Sequence, residues 1–214
     1  MNALNANRNY SLVQCVIVFY TNIMAYNKTM KNEYEQIISS ITARLDKPIV
    51  VIGLMGVGKT RLGRTLADTL NLPFYDSDDA IEEAAGMRIP DIFEKFGEPY
   101  FRDGEHRVIK RLLEGEHKVL ATGGGAIMTP ETADLIWGKT VSIWVQASLK
   151  TMISRTSKNA NRPLLNKGNP EEILKALMET RYPTYEKADI MIESDAGSIE
   201  TIIENLVYKI DAFV

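Results

Sequence analysis

The chain has 214 residues, which is enough for one α/β domain with a substantial core. Its 25 basic and 28 acidic residues give a formal net charge of −3, so no basic excess indicates a nucleic-acid partner or an anionic membrane. The one cysteine cannot form an internal disulfide, and no apolar run approaches the ~20 residues of a membrane-spanning helix. These properties predict a cytoplasmic protein without nucleic-acid or membrane partners.

Residues 1–46 form an N-terminal extension that carries no motif. The apolar run 12–20 leaves three interpretations open: a signal-peptide core without a cleavage site after it, an added strand, or sequence upstream of a start at Met24 or Met30. From residue 30 to 46 the apolar residues recur at helical spacing and predict an amphipathic helix that packs on the core. These residues are Tyr34, Ile37, Ile38, Ile41 and Leu45.

From residue 48 onward, apolar runs rich in β-branched residues alternate with helical patterns. Such alternation is typical of a parallel, doubly wound sheet, so we expect residues 47–214 to form a single α/β domain. The predicted strands are 49–52, 73–76, 118–121, 141–146 and 189–193. The predicted helices are 59–71, 78–85, 90–95, 98–114, 130–136, 148–156, 170–187 and 198–210.

The first predicted strand leads directly into the sequence GLMGVGKT, which fits the phosphate-binding pattern G-x-x-x-x-G-K-[ST]. The glycines let successive backbone N–H groups turn towards phosphate oxygens, and the next helix adds the positive end of its dipole. Lys59 can reach the β- and γ-phosphates, and the Thr60 hydroxyl can ligate Mg²⁺. The residues expected around the nucleotide are Gly53, Met55, Gly56, Val57, Gly58, Lys59 and Thr60.

Two carboxylates, Asp76 and Asp78, follow the second predicted strand. Ligands of open α/β sheets bind beyond the carboxyl ends of the strands, and positions i and i+2 of an extended chain point to the same side. One carboxylate can therefore lie near Mg²⁺ while the other contacts an acceptor hydroxyl. An acidic helix cap with solvated side chains is the alternative interpretation.

Three charged residues fall on helix faces that the apolar pattern would bury. Glu105 lies on the apolar stripe of the helix predicted at 98–114 and needs a partner, for which Arg102 is a candidate at i+3 spacing. Arg181 continues the apolar stripe of the helix predicted at 170–187. Its anionic partner is either an internal carboxylate or a ligand, and the pattern alone does not distinguish them.

Two loops complete the set of candidate functional segments. Gly123, Gly124 and Gly125 follow the third strand, where they either let a ligand approach the backbone or form a tight turn. The polar segment 157–169 carries Arg162 and is either a lid that closes over the γ-phosphate or a plain surface connection. Arg155, just before this segment, can stack on the base, with a solvated side chain as the alternative.

Taken in chain order, the motifs are GLMGVGKT, D-S-D-x-x-I-E, G-E-x-x-F-R-x-x-E, G-G-G, R-P-L-L and R-x-P-x-Y. At these spacings the chain resembles the shikimate kinases, a nucleoside-monophosphate-kinase-like P-loop family, over roughly residues 48–210. The resemblance implies a three-layer α/β P-loop NTPase fold with a five-stranded parallel sheet in the order 2-3-1-4-5. It also implies a substrate-binding subdomain at about 77–107 and a lid at about 157–169.

The resemblance also implies a reaction, the transfer of the γ-phosphoryl group of MgATP to the 3-hydroxyl of shikimate in aromatic amino-acid biosynthesis. The products would be shikimate 3-phosphate and ADP. Lys59, Asp78 and Arg162 would be catalytic, with Asp78 binding the ring hydroxyls and orienting or deprotonating the attacking one. Mg²⁺ would lie near Thr60 and, through water, near Asp76.

The remaining implied contacts concern the two substrates of a monomeric enzyme. Arg155 would lie against adenine, and Arg162 would also contact the nucleotide. Shikimate would be held by Asp78, Arg102, Glu105, Gly123, Gly124, Gly125 and Arg181. A related small-molecule kinase of the gluconate type, or an inactive relative that only binds nucleotide, is the alternative.

Overall fold

The computed structural model describes residues 30–157 and 168–214. At its centre lies a five-stranded parallel sheet in the order β2-β3-β1-β4-β5. The strands are β1 Ile49–Ile52, β2 Phe74–Asp76, β3 Val119–Ala121, β4 Val141–Gln146 and β5 Ile190–Glu193. The expected strand order is confirmed, and every strand boundary lies within one residue of its predicted position.

Helices cover both sides of this sheet. Residues 30–44 are helical and form α1. The other helices are α2 Lys59–Leu70, α3 Ser77–Ala85, α4 Ile89–Leu112, the 3-10 helix η1 Ala126–Met128, α5 Pro130–Lys139, α6 Leu149–Thr156, α7 Pro170–Tyr185 and α8 Ile199–Phe213. Helix α2 packs on the first three strands and contacts α8, whereas α5 packs on β4 and contacts α4 and η1. The three-layer α/β fold implied by the motifs is therefore confirmed.

The burial of each strand follows from its position in the sheet. All four residues of the central β1 are at most 1% exposed, as expected for a parallel strand covered on both faces. The edge strand β5 instead alternates, with Ile190 and Ile192 buried and Met191 exposed. The apolar run in the sequence thus identifies the strand that leads into the phosphate-binding loop as the centre of the fold.

Helix α4 spans 24 residues and is interrupted at Gly97, whose φ of 80° and ψ of 172° are not helical. The two helices predicted at 90–95 and 98–114 correspond to the two segments that meet at this kink. Glycine adopts this conformation without the steric cost that other residues meet, and Pro99 follows inside the helix. Within the described ranges, neither α4 nor any other helix is long and apolar enough to span a membrane.

Helix α1 packs against the C-terminal helix α8. Ile41 is fully buried, and the rings of Tyr34 and Tyr208 lie with their centroids 6.3 Å apart. Arg44 pairs with the carboxylate of Asp211 and donates a second hydrogen bond to its backbone carbonyl. The part of the N-terminal extension that the structure describes is therefore integrated into the core.

We predict that Ile41→Ala lowers the free energy of unfolding by about 2–4 kcal/mol, because the fully buried side chain leaves a cavity between α1 and the core. Ser40→Ala, on the exposed side of the same helix, is the matched control and should change the free energy by less than about 0.5 kcal/mol. Urea denaturation measures both variants. Equal stability of the two would contradict the packing of α1 on the core.

Candidate active site

A cavity of about 660 Å³ lies at the carboxyl ends of β1, β2 and β3. The phosphate-binding loop lines it, with Lys59 and Thr60 facing the cavity. Asp76, Asp78 and Glu82 line the same cavity. This is the edge where parallel α/β sheets bind ligands, and the cavity brings cationic and anionic groups together.

The loop Gly53–Gly58 wraps closely against the rest of the structure. Gly56 has a φ of 83°, and a Cβ at this position would lie 2.8 Å from Thr156 Cγ2 on α6. Helix α2 begins at Lys59, whose Nζ donates to the Leu54 carbonyl at 3.0 Å across the loop. Val57 is buried, so it can serve a nucleotide only through its backbone. The geometry is that of a preformed anion cradle at a helix N-terminus.

Thr60 and Asp76 are joined across the floor of the cavity. The Thr60 hydroxyl donates to Asp76 Oδ2 at 2.8 Å, and Asp76 Oδ1 accepts from the Asp78 backbone N–H at 3.0 Å. Asp76 is therefore the N-cap of α3, as one interpretation of the sequence expected, and it also lines the cavity. A hydroxyl and a carboxylate at this separation are hard oxygen donors of the kind that Mg²⁺ prefers beside phosphate oxygens.

Asp78 is partly buried. Its pKa is raised to about 6, chiefly by burial and then by the charge of Asp76, whereas the charge of Lys59 acts in the opposite direction. A Cβ on Gly123 would lie only 2.8 Å from Asp78 Oδ1, which shows how closely this carboxylate approaches the triglycine loop. The alternative of a solvated helix-capping group does not describe Asp78, whose pKa suits a proton acceptor near neutral pH.

Glu105 and Arg102 form a pair beneath the triglycine loop. Glu105 is 1% exposed, and its Oε2 accepts from Arg102 Nη1 at 2.6 Å. Arg102 also donates to Glu98 Oε1 through Nε at 3.3 Å and Nη2 at 3.1 Å. Burial raises the pKa of Glu105, with Arg102 opposing the shift, and Glu105 Oε1 has no hydrogen-bond partner among the described residues. A buried acceptor of this kind favours a further donor in the site.

The three successive glycines stand where other groups come closest to the backbone. A Cβ on Gly123 would lie 3.0 Å from Glu105 Oε1, and one on Gly124 would lie 3.2 Å from the Gly53 carbonyl oxygen. A Cβ on Gly125 would lie 2.6 Å from Arg102 Nη2. The segment also turns the chain from β3 into η1, as the tight-turn interpretation expected.

Arg181, on α7, reaches the same loop from the other side. Its Nη1 donates to the Gly124 carbonyl at 2.8 Å, and no carboxylate among the described residues forms an ion pair with it. The charge of Arg181 also lowers the pKa of the Glu105 carboxylate, so both partners that the sequence left open remain. Arg181 lies beside Gly124 and Arg102 beside Gly125, so two guanidinium groups border one loop.

Arg155 lies between the phosphate-binding loop and the end of β5. Its Nη1 donates to the Val57 carbonyl at 3.0 Å and to Ser194 Oγ at 2.9 Å, and its Nη2 donates to the Ser194 carbonyl at 3.1 Å. It borders a side cavity of about 330 Å³ next to the main one. Arg162 and most of the expected lid lie outside the described residues.

Sequence reasoning missed two serines that organise the site. Ser77 is fully buried, and its hydroxyl accepts from the Gly123 backbone N–H at 3.0 Å, which ties the start of α3 to the triglycine loop. Ser194 holds the guanidinium of Arg155. The serine within D-S-D was the signal for Ser77, whereas no local pattern marked Ser194, since its partner lies 39 positions away.

The fold and the site together define a class of protein. The phosphate-binding loop and the Asp78 carboxylate line one cavity. The guanidinium groups of Arg102 and Arg181 border the triglycine loop, whose Gly124 lines the same cavity. This is the arrangement of a P-loop kinase that phosphorylates a small acceptor.

Comparisons with known proteins identify the family. A profile of the family described as "Shikimate kinase" matches residues 55–211. A shikimate kinase from Rhodopseudomonas palustris is 50% identical over 167 residues, which cover 78% of this chain and 82% of that protein. The solved structure of a shikimate kinase from Acinetobacter baumannii in complex with shikimate is 37% identical, has a TM-score of 0.74, and covers 78% of this chain and 93% of that chain.

The chain belongs to the shikimate kinase family and is therefore an ATP-dependent kinase. The family resemblance and the enzyme class predicted from the motifs are both confirmed. A gluconokinase from Sinorhizobium meliloti has a TM-score of 0.52 but is only 14% identical, with 79% of this chain and 94% of that chain covered, so it shares the fold alone. The gluconate-type alternative is therefore not supported.

We predict that Gly125→Ala raises the KM for shikimate about tenfold, because the new Cβ would displace the Arg102 guanidinium. Gly138→Ala, in α5, is the control, since a Cβ there meets no atom within 4 Å. Steady-state kinetics at saturating ATP provide the measurement. An unchanged KM in Gly125→Ala would contradict the assigned position of Arg102.

We also predict that kcat/KM for shikimate falls as the pH drops through about 6, because Asp78 gains a proton there and stops accepting one. The same raised pKa destabilises the folded state above pH 6, where the buried group must be charged. Asp78→Asn should therefore abolish turnover while raising the free energy of unfolding at pH 8 by on the order of 2 kcal/mol.

The stabilisation expected from Asp78→Asn keeps its sign but becomes smaller as the pH falls. Between the folded pKa of about 6 and the ordinary pKa of 3.8 the folded state binds the proton first, so the advantage of Asp78→Asn diminishes as the pH falls. Urea denaturation at pH 8 and pH 5 measures the change. A constant difference between the two pH values would show that Asp78 is not desolvated.

Proposed function

We propose that the chain transfers the γ-phosphoryl group of MgATP to the 3-hydroxyl of shikimate, giving shikimate 3-phosphate and ADP in aromatic amino-acid biosynthesis. The observation that carries this proposal is the place of Asp78, which lines the cavity of the phosphate-binding loop and also touches the triglycine loop. A hydroxyl bound at Asp78 would lie between the phosphate donor and the guanidinium groups that hold the acceptor.

Arg102 and Arg181 bind the carboxylate of shikimate in this proposal. A planar guanidinium presents parallel N–H donors that match the two oxygens of a carboxylate. Glu105 orients Arg102 through the 2.6 Å hydrogen bond, and its unpaired Oε1 is available to a hydroxyl of the ring. Gly123, Gly124 and Gly125 let the ring approach the backbone, since no side chain occupies this wall.

Asp78 orients the attacking hydroxyl and accepts its proton. Its raised pKa of about 6 keeps the carboxylate basic while it remains charged at neutral pH. Lys59 and the backbone N–H groups of the loop bind the phosphates, and Lys59 together with Arg162 stabilises the charge of the transferring group. Phosphoryl transfer depends chiefly on positioning and charge stabilisation, which are the functions these groups supply.

Thr60 and Asp76 would hold Mg²⁺, with Asp76 acting through water. When bound there, the ion would neutralise phosphate charge. On the nucleotide side, Arg155 lies against adenine, and the contacts with Val57 and Ser194 fix its guanidinium next to the side cavity.

We propose that residues 47–214 form a single kinase domain with a substrate-binding subdomain at about 77–107 and a lid at about 157–169. Lid closure excludes water, which otherwise competes with shikimate as the acceptor. Residues 1–46 form an N-terminal extension, of which α1 packs on this domain. We further propose that the enzyme acts as a monomer in the cytoplasm, where ATP is supplied.

A coupled assay of ADP release from ATP and Mg²⁺, with and without shikimate, tests the function directly. We expect turnover that depends on shikimate and is absent with gluconate. Lys59→Ala gives the background rate of ADP release. It should remove turnover, because the variant lacks the ammonium group that binds the phosphates. Nucleotide binding without shikimate-dependent turnover would instead support an inactive relative.

Arg181→Ala is predicted to raise the KM for shikimate by about 10- to 100-fold, with a smaller change in the KM for ATP, because a charge-assisted contact with the carboxylate is lost. Initial rates over a matrix of both substrate concentrations give the two constants. A normal KM for shikimate with a normal kcat would show that Arg181 is structural.

A further inference from the structure

Tyr185 is the last residue of α7 and is fully buried, yet its hydroxyl reaches the acceptor site. The phenol donates a hydrogen bond of 2.5 Å to the carbonyl of Gly124, the middle residue of the triglycine loop. Tyr185 is separated from Gly124 by 61 positions in the chain, so the contact depends on the packing of α7 against the end of β3. No substrate role was predicted for this residue.

The same carbonyl also accepts a hydrogen bond of 2.8 Å from Arg181. A carbonyl oxygen has two lone pairs, and here both are used by donors from one helix. Arg181 and Tyr185 are four residues apart on α7 and therefore lie on the same face. The Gly124 carbonyl thus accepts two hydrogen bonds, and one of the donors is the guanidinium proposed to bind the acceptor.

The phenol keeps its proton at the pH at which enzymes work. Burial raises the pKa of Tyr185 to about 12, and the neighbouring Arg181 charge only partly opposes the shift. Its single O–H is therefore present throughout the neutral range and is directed at the Gly124 carbonyl.

The aromatic ring is held by neighbouring rings. Its centroid lies 5.9 Å from that of Trp144 on β4 and 6.3 Å from that of Tyr182, and the Trp144 and Tyr182 rings are 5.0 Å apart. Trp144 is 4% exposed. Because neighbouring rings restrain this ring, its hydroxyl has a fixed position against the loop that it contacts.

We propose that Tyr185 is a positioning residue for shikimate binding. By occupying one lone pair of the Gly124 carbonyl, its hydroxyl fixes the triglycine loop and confines Arg181 Nη1 to the other lone pair. The remaining N–H groups of Arg181 then point to where the acceptor carboxylate lies. Tyr185 itself does not touch substrate, and the proposal rests on the proposed role of Arg181.

Tyr185→Phe tests this role because the ring is preserved and Gly124 keeps the hydrogen bond from Arg181. We expect the KM for shikimate to rise about tenfold, while the KM for ATP stays within about twofold, since a small misplacement of a binding group weakens only its own ligand. Tyr182→Phe is the matched control and should leave both constants unchanged. Tyr182 belongs to the same aromatic cluster but donates to no group among the described residues.

A double-mutant cycle distinguishes positioning from a general structural role. If Tyr185 acts through Arg181, Tyr185→Phe in an Arg181→Ala background should change kcat/KM for shikimate by less than about twofold. Independent, multiplicative losses would overturn the proposal, as would an unchanged KM for shikimate in Tyr185→Phe alone.

Site-specific 3-fluorotyrosine at position 185 restores the hydroxyl donor and should restore the wild-type KM for shikimate. Failure of this analogue to restore it would overturn the proposal. Circular dichroism shows whether Tyr185→Phe folds. Failure of this variant to fold would also overturn the proposal, because the hydroxyl would then be needed for the fold. A wild-type chain without shikimate-dependent turnover would refute the proposed function instead, so the two failures are distinguishable.

Discussion

Three successive positions without side chains, Gly123 to Gly125, let the parts of the site meet at the end of β3. The Asp78 carboxylate, the Gly53 carbonyl and the Arg102 guanidinium each approach this backbone so closely that a Cβ would lie 2.6 to 3.2 Å from one of their atoms. Close-packed interiors have no room to absorb such contacts without displacing a group. The distance between the phosphate-binding loop and the acceptor pocket is therefore set by backbone geometry.

Around this loop the enzyme retains charged groups at a cost in stability. Asp78 and Glu105 both have raised pKa values because burial disfavours their charged forms. Arg102 partly compensates Glu105, and Lys59 partly compensates Asp78. The unpaired Glu105 Oε1 means that the free site is incomplete as a hydrogen-bond network, which is the state expected of a pocket that a polar ligand completes.

Long-range hydrogen bonds hold the functional arginines in place from outside the cavity. Ser194 and the Val57 carbonyl fix Arg155 where β5 ends, while the Gly124 carbonyl fixes Arg181 next to Tyr185. Arg181 thus has one nitrogen bonded to a backbone carbonyl, and Arg155 has two. A guanidinium has five donors, so this leaves the others free for a ligand and reduces the conformational entropy lost on binding.

The sequence by itself determined the positions of the strands, the phosphate-binding loop and the charged residues on apolar helix faces, because these depend on spacing within one element, whereas the order of the strands was implied by the family resemblance. Glu105 and Arg102 could be predicted to pair because they lie three positions apart on one helix. Only the tertiary structure decided that Arg181 contacts Gly124, 57 positions away, and that Tyr185 shares that carbonyl. Such contacts follow from how helices pack on the sheet, and no local pattern encodes which distant carbonyl a buried donor will meet.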